Sequence, residues 1–424
     1  MNDWRTRLFA VGVAVAAGAL AAGCQDALEA DSGRSLRPIP DQTLALMDKI
    51  GTTPSAPVLI RTYKQEAELE IWKMKSDGQY ALLSAYPMCR WSGQLGPKLR
   101  EGDHQVPEGF YTIAPGQMNP NSHYYLSFNV GYPNAYDRAL GRTGGDIMVH
   151  GVCSSAGCFS MTDAEIGEIY AVAREAFNGG ERAIQMQSFP FRMTAENLAK
   201  HRLDPNIAFW KEIKSGADHF EVTKTEPEVL VCGKHYVFGA HADQDVDASA
   251  PCPANLQRDD QVEAAVAEKE AGDDTAVAAL VAQGVKPVKI VYQDGGQNPA
   301  FAGREDLDPS APEALAAGPT VITLDNSGKP LPPAVKVAAA DAAAPAPAPA
   351  TANAAAASPF GFLNGGGGKS FFGLGGSDAQ QPQLKVFEPA QPIPTDAPLP
   401  PKRDAALEAR GGPQAMVDSP LRAQ

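Results

Sequence analysis

Of the 36 prolines in this 424-residue chain, 23 lie beyond residue 240, in company with 7 of the 31 aromatics and none of the four tryptophans. A segment so poor in large apolar side chains cannot bury enough surface to offset the entropy of ordering its backbone. The distribution therefore confines the main folded region to residues before 240. The same C-terminal stretch carries 23 acidic and 13 basic residues, so most of the formal charge of −14 belongs to it. Nothing in such a chain offers the clustered Lys and Arg that a phosphate backbone demands, which excludes nucleic acid as a partner.

The N-terminus reads as an export signal, residues 1–23. Arg5 and Arg7 precede an uncharged apolar run from Leu8 to Ala22. At about 15 residues it is too short to span a bilayer and has the length of a signal core. It ends in Leu20-Ala21-Ala22-Gly23-Cys24, which resembles a bacterial lipoprotein box with Ala21 where the motif prefers Leu. Cys24 would then be diacylated and become the first mature residue, two chains giving stable anchoring. Gln25 rather than Asp after it favours the outer membrane. The expectation is a periplasmic protein of the bacterial envelope that meets membrane through a lipid anchor at most, in a compartment where disulfides form.

Residues 24–50 are polar and Pro-containing and read as a tether. From Pro57 the pattern becomes strand-like: Val58–Tyr63, Leu69–Met74, Tyr80–Tyr86, Phe110–Ile113, Tyr124–Val130, Ile147–His150, Ala183–Gln187 and Val229–Phe238. One clear helix starts at Thr162, with Glu165 three residues on as a capping box and Ile166, Ile169, Tyr170, Ala173 and Phe177 at helical spacing. Shorter helices are predicted over Ala195–His201 and Ile207–Ile213. The fold is mainly β with a few helices. Beyond Ala240, a helix over Gln261–Gln283 and a short strand within Val285–Phe301 make a partly ordered extension, residues 241–305. Residues 306–424 read as a disordered low-complexity tail, almost pure Ala/Pro over Ala338–Ala357. Its Gly365-Gly366-Gly367-Gly368-Lys369-Ser370 run is no phosphate loop, because Leu363 stands where that motif needs glycine.

The chemistry lies in Ile147-Met148-Val149-His150-Gly151-Val152-Cys153-Ser154-Ser155-Ala156-Gly157-Cys158-Phe159-Ser160-Met161. An apolar strand delivers a histidine, and a loop of small residues then presents a cysteine just before a capped helix. A thiol nucleophile needs a base, small neighbours that admit a carbonyl, and donors for the oxyanion. His150 supplies the first, Ala156 and Gly157 the second, and the N–H groups of Gly157 and Cys158 the third. Asp146, four residues before His150, falls on the same strand face and is a candidate to orient the ring. Other readings of these residues stay open: a buried structural thiol, a Cys153–Cys158 disulfide, or zinc on His150, Cys153 and Cys158, although no fourth ligand lies at regular spacing. No metal or cofactor is required by the pattern.

The stretch resembles the signature of the L,D-transpeptidase catalytic (YkuD) family, specifically its YafK-like branch. His150-Gly151 matches one element, and Ser155, Gly157, Cys158, Phe159 and Met161 match the other. Ala156 replaces a second histidine, Ser160 replaces an arginine, and the gap between His150 and Cys158 is short, as in that branch. A second block, Ser92 to Lys98 with Glu101-Gly102-Asp103 and Pro107-Glu108-Gly109-Phe110-Tyr111, is similar to the family's, as are Asn121 to Tyr125 and Asn134 to Arg138. The resemblance covers roughly residues 55–240.

It implies a YkuD-type β-sandwich over residues 51–240 and acyl transfer on peptidoglycan stem peptides. Cys158 would attack the carbonyl of meso-diaminopimelate, release D-alanine and hold a thioester. His150 would act as general base and acid, with the Gly157 N–H on the oxyanion. Ser155, Gly151, His104, His123 and Tyr125 are supporting candidates. Passing the acyl group to an amine would cross-link stems or attach a wall-linked lipoprotein or outer-membrane protein. Passing it to water would make the protein an amidase or endopeptidase, and a wall-binding lipoprotein without catalysis is the third reading. The family block suggests a core or disulfide role for Cys89. Cys232 and Cys252 flank a polar loop and are candidates to pair, with Cys89–Cys153 as the remaining combination, and the connectivity stays open.

Overall fold

Strands β1 (Val58–Tyr63), β2 (Glu68–Met74) and β3 (Tyr80–Pro87) form an antiparallel meander whose first strand is buried at all six positions. A strand with no solvent face must lie inside its sheet. In this computed structural model, which describes residues 33–332 apart from 308, β1 is interior because a distant segment pairs on its other side.

The chain leaves β3 for a second sheet through β4 (Arg90–Trp91) and returns for β5 (Gly109–Ile113). It then lays down β6 (Met118–Asn119), β7 (Ser127–Asn129), β8 (Met148–His150) and β9 (Phe159–Ser160) in the second sheet. β10 (Ile184–Phe189) comes back to the first. The orders are β3-β2-β1-β10-β5 and β4-β9-β8-β7-β6. β1 and β10 run parallel, as do β8 and β9.

The connection from β9 in the second sheet to β10 in the first is a helix. Helix α3 (Asp163–Asn178) follows α1 (Asp41–Ile50) and α2 (Ala135–Ala139) in chain order. Thr162 accepts from the Glu165 N–H, and Glu165 returns a bond to the Thr162 N–H, so the capping box is complete. Ile166, Ile169 and Ala173 are buried at helical spacing, and α3 packs on β1 of one sheet and on β7 and β8 of the other. The predicted sheet-rich fold is the one observed, with α4 (Ala195–His201), α5 (Ile207–Thr223), α6 (Asp260–Ala282) and α7 (Pro312–Ala317) around it.

Several elements differ from their sequence expectation for local reasons. Tyr124–Val130 is a strand only from Ser127, since Tyr125 takes φ +68° and breaks the extended run. Val229–Phe238 is a hairpin of β11 (Val229–Cys232) and β12 (His235–Phe238), turned by left-handed Gly233 and Lys234. α5 continues ten residues past Ile213, because Gly216 lies against Phe110 and Phe238 and is a packing position rather than a stop. Residues 41–50, expected in the tether, form α1 with Met47 buried. Residues 309–332, expected in the tail, hold α7 and a strand, Thr320–Thr323, paired with Val288–Val291. The leader, Cys24, the Ala/Pro run and the glycine run lie outside the described residues.

Beneath the loop between β4 and β5 sits a buried ion pair. Lys64 Nζ and Glu108 Oε1 are 2.9 Å apart with neither side chain exposed. Glu108 also accepts from the Gly96 N–H at 2.7 Å and the Trp210 indole at 2.8 Å, while Lys64 donates to the Gly96 and Val106 carbonyls. Burial pulls the Lys64 amine below its ordinary value, against the pull of Glu108. Removing one partner strands the other in a site without water. Lys64→Met should therefore lower the unfolding free energy by about 3–5 kcal/mol, read from urea denaturation by tryptophan fluorescence; a loss below about 1 kcal/mol would show the pair to be marginal.

Candidate active site

β8 and β9 lie side by side in parallel register, Val149 beside Phe159 and His150 beside Ser160. Strand alternation turns Val149 and Phe159, both buried, into the core and leaves His150, Ser160 and the preceding Cys158 on the opposite face. Cys158 is half-buried and the free cysteine of the described residues. Its Sγ receives the Met148 N–H at 3.4 Å and lies 3.9 Å from the Asp146 carbonyl.

His150 is 3% exposed. Its Nδ1 lies 2.7 Å from the Gly151 carbonyl. A carbonyl only accepts, so Nδ1 carries the proton and Nε2 keeps its lone pair. Ser160 Oγ stands 3.4 Å from Nε2 but gives its hydrogen to the Ser154 carbonyl at 2.6 Å. The lone pair therefore stays unspent. Tyr124 lies over the ring at 4.6 Å between centroids and is itself 48% exposed.

Burial holds the His150 imidazole below its ordinary value, partly offset by its bond to the Gly151 carbonyl. Burial also pushes the Cys158 thiol up, against the Met148 N–H and the Lys98 ammonium, which pull it down, and with Asp146 adding to the rise. Both shifts favour the uncharged forms. Near neutral pH the resting state is a thiol and a neutral imidazole rather than an ion pair.

The loop carrying Cys158 is built around Ser155. Its Oγ accepts from the N–H groups of Gly157 at 3.2 Å and Cys158 at 2.9 Å, and donates to the Cys158 carbonyl at 2.7 Å. Ser92 Oγ approaches the same atom at 2.8 Å. The Gly157 N–H is thus engaged within the loop, and the oxyanion role expected of it has no open donor in this arrangement. Gly157 itself takes φ +131° with the His104 backbone against it, a conformation that side chains avoid.

The supporting candidates separate. Gly151 offers its carbonyl to His150 Nδ1 and is tightly packed, since a Cβ there would meet Asp163 Oδ1 at 2.5 Å and the Tyr124 carbonyl at 3.0 Å. Asp146 does not orient the imidazole. Its φ of +52° ends the strand period before β8 begins, and its exposed carboxylate faces Asn129 Nδ2. His104 contributes backbone behind Gly157, and its side chain is exposed. His123 is exposed. Tyr125 turns away to receive Arg34 and Arg37 over its ring at 5.5 and 6.0 Å. Ser160, Tyr124, Lys98 and Asp163 take places that sequence reasoning did not assign. Ser160 carried a signal as the departure from the family's arginine, and Lys98 and Tyr124 stood within the blocks similar to the family's without a role assigned to them.

Cys153 is bonded to Cys89, and Cys232 to Cys252. The first pairing leaves Cys158 its thiol and removes Cys153 as a metal ligand. It also anchors a strained turn, since Val152 and Cys153 take φ of +73° and +48°. The family blocks have structural duties. Asp103 gathers the N–H groups of Leu99, Arg100 and Gln105 and the Lys98 ammonium. Asp137 accepts from Tyr111 and Arg142 and caps α2 with Asn134.

Fold and site together define a two-sheet domain that presents, among the described residues, the free Cys158 thiol on the same sheet face as a buried Nδ1–H imidazole. The family model for the L,D-transpeptidase catalytic domain (YkuD) matches residues 76–178. YafK of Escherichia coli strain K12, whose name proposes an L,D-transpeptidase, is 43% identical over 182 residues, which cover 43% of this chain and 74% of YafK. YafK of Escherichia coli O157:H7 has the same figures. The chain belongs to the L,D-transpeptidase family. Among solved structures, the helical cell shape determining protein Pgp2 from Campylobacter jejuni aligns at TM-score 0.26 and 14% identity, over 68% of this chain and 96% of that one. Bd1075 of Bdellovibrio bacteriovorus aligns at 0.23 and 17%, over 45% and 89%. Among the described residues no helix is long and apolar enough to cross a membrane.

The raised thiol has a direct consequence. Alkylation of Cys158 by iodoacetamide, followed by peptide mass, should be slower at pH 7 than that of an ordinary free cysteine. Its rate should keep climbing above the ordinary thiol value of about 8.5. A plateau reached below pH 7 would mean a resting ion pair instead.

Proposed function

We propose that the protein is a cysteine-dependent L,D-transpeptidase acting on peptidoglycan stem peptides in the bacterial periplasm. The observation that carries this reading is the unspent Nε2 lone pair of His150, on the same sheet face as the free Cys158 thiol. Family membership supplies the substrate class.

Nε2 takes the thiol proton as Sγ attacks the carbonyl of meso-diaminopimelate. The C–N bond to the terminal D-alanine breaks, and the imidazolium returns its proton to the leaving amine. The product is a thioester on Cys158. An amine on a second stem, or on a protein to be attached, then takes the acyl group and frees the thiol. Because thiol and imidazole rest neutral, the proton moves during attack rather than before it. The Gly151 carbonyl, accepting from Nδ1, stabilises the imidazolium that forms.

Incubating the purified chain with defined muropeptides and weighing the products tests the reading. New 3→3 linked dimers are expected. Release of a peptide or a wall-linked protein without new linkage would replace transfer by hydrolysis, and no change at all would leave a binding protein. Cys158→Ala should abolish turnover, and His150→Ala should lower kcat by about 10²–10⁴-fold. Protonated His150 cannot act as base, and its pKa lies below the ordinary value. The acid limb of kcat/KM should accordingly fall below about pH 6.5, and a limb above pH 7 would contradict the burial argument.

A further inference from the structure

Residues 292–307 and 309–310 lie well beyond the 76–178 stretch matched by the catalytic-domain model, yet they pack against β4 and the loop that carries Cys158. Tyr292 packs edge-on to Trp91 at 4.8 Å, and its N–H donates to Gln94 Oε1 at 2.9 Å. Trp91 and Gly296 exchange backbone hydrogen bonds at 2.9 and 3.0 Å, which adds a bridge to the outer edge of β4. Phe301 packs on the buried Cys89 and Cys153.

The polar contacts converge on Arg90, whose side chain is fully buried. All three guanidinium nitrogens end on this segment: Nη1 on the Asp294 carbonyl at 2.9 Å, Nη2 on the Asp294 carboxylate, and Nε on Ser310 Oγ at 2.8 Å. Ser310 Oγ also accepts from the Ser155 N–H at 3.0 Å and donates to the Ser155 carbonyl at 3.2 Å. Two acceptor sites and one donor are all that a hydroxyl has, so Ser310 is spent entirely on Arg90 and Ser155. Ser155 is the residue whose own hydroxyl gathers the Gly157 and Cys158 amides.

A loop of small residues with two left-handed non-glycine positions behind it does not hold one conformation unaided. A displacement of about 1 Å at a reacting atom costs on the order of 10² in rate. We propose that the segment from Tyr292 to Ser310, through its described residues, forms a strap that positions the nucleophile loop, with Ser310 the positioning residue through which it acts on Cys158. The inference rests on Cys158 being the nucleophile, as proposed above.

The test compares wild type, Ser310→Ala, Ser310→Thr and Phe301→Ala in the full chain. It reads muropeptide turnover, the pH profile of Cys158 alkylation by iodoacetamide, and melting temperature. Ser310→Ala is expected to lower kcat about tenfold with KM changed less than twofold. It should also move the alkylation profile toward an ordinary thiol, because a loosened loop relieves the burial of Sγ. Ser310→Thr keeps the hydroxyl and should restore both to within about twofold of wild type. Phe301→Ala loosens the strap at the disulfide and should move both readouts in the same direction, so the inference remains testable if Ser310→Ala melts early. A wild-type kcat and alkylation profile in Ser310→Ala, or a loss that Ser310→Thr does not repair, would overturn the strap. If even the wild type shows no turnover while alkylation responds as expected, the transpeptidase reading fails and the strap stands.

Discussion

Lys64 and Glu108 are ions placed where water cannot reach them, and the geometry around the site hangs on how completely they are satisfied. Such a pair is expensive to bury and adds little stability over an apolar one. What it provides here is registry. Glu108 joins the end of β1 to the Gly96 amide and to Trp210 of α5, and Lys64 draws in the carbonyls of Gly96 and Val106. The loop between those carbonyls is thereby pinned at both ends. It carries Asp103, which folds it internally, and His104, whose backbone stands behind Gly157. The nucleophile loop thus has a fixed wall at its back, set by charges far from the chemistry.

On the other side the constraint is the reverse, a loop of small residues held by many small contacts. Val152 and Cys153 occupy backbone conformations that cost free energy. The Asp163 carboxylate accepts the Val152 N–H, and the bond to Cys89 holds the next residue. Helix α3 supplies Asp163 from its first turn, so the capping box that starts the helix also fixes the turn before the thiol. The neutral state of thiol and imidazole follows from the same crowding, because burial disfavours both charged forms.

Much of the frame was legible in residue patterns. β-branched runs marked the strands, Thr162 and Glu165 marked the start of α3, and His150 and Cys158 stood out by spacing. Reading failed where a single backbone angle overruled a pattern. Asp146 has the right separation from His150 for a shared strand face, but its positive φ precedes the strand. Tyr125 likewise cuts short an aromatic run that looks extended. The places of Tyr124 and Lys98 at the site were not legible, although both fall in family-like blocks, because a ring over an imidazole and an ammonium near a thiol are contacts between segments distant in sequence.

The sequence by itself determined that an apolar strand ends at His150 and that a loop of small residues carries Cys158 toward a capped helix, since both follow from local pattern. The parallel pairing of β8 with β9 came from the tertiary structure. The sequence also determined where apolar material runs out, although the ordered chain continues past the proline-rich boundary through α7 and the strand at Thr320–Thr323. Only the tertiary structure decided which cysteine keeps its thiol, which nitrogen of His150 keeps its lone pair, and where the Gly157 amide points. Those outcomes depend on Cys89, the Gly151 carbonyl and Ser155 lying within bonding distance. Distances of that kind are set by packing two sheets and a helix together, and no local pattern encodes them.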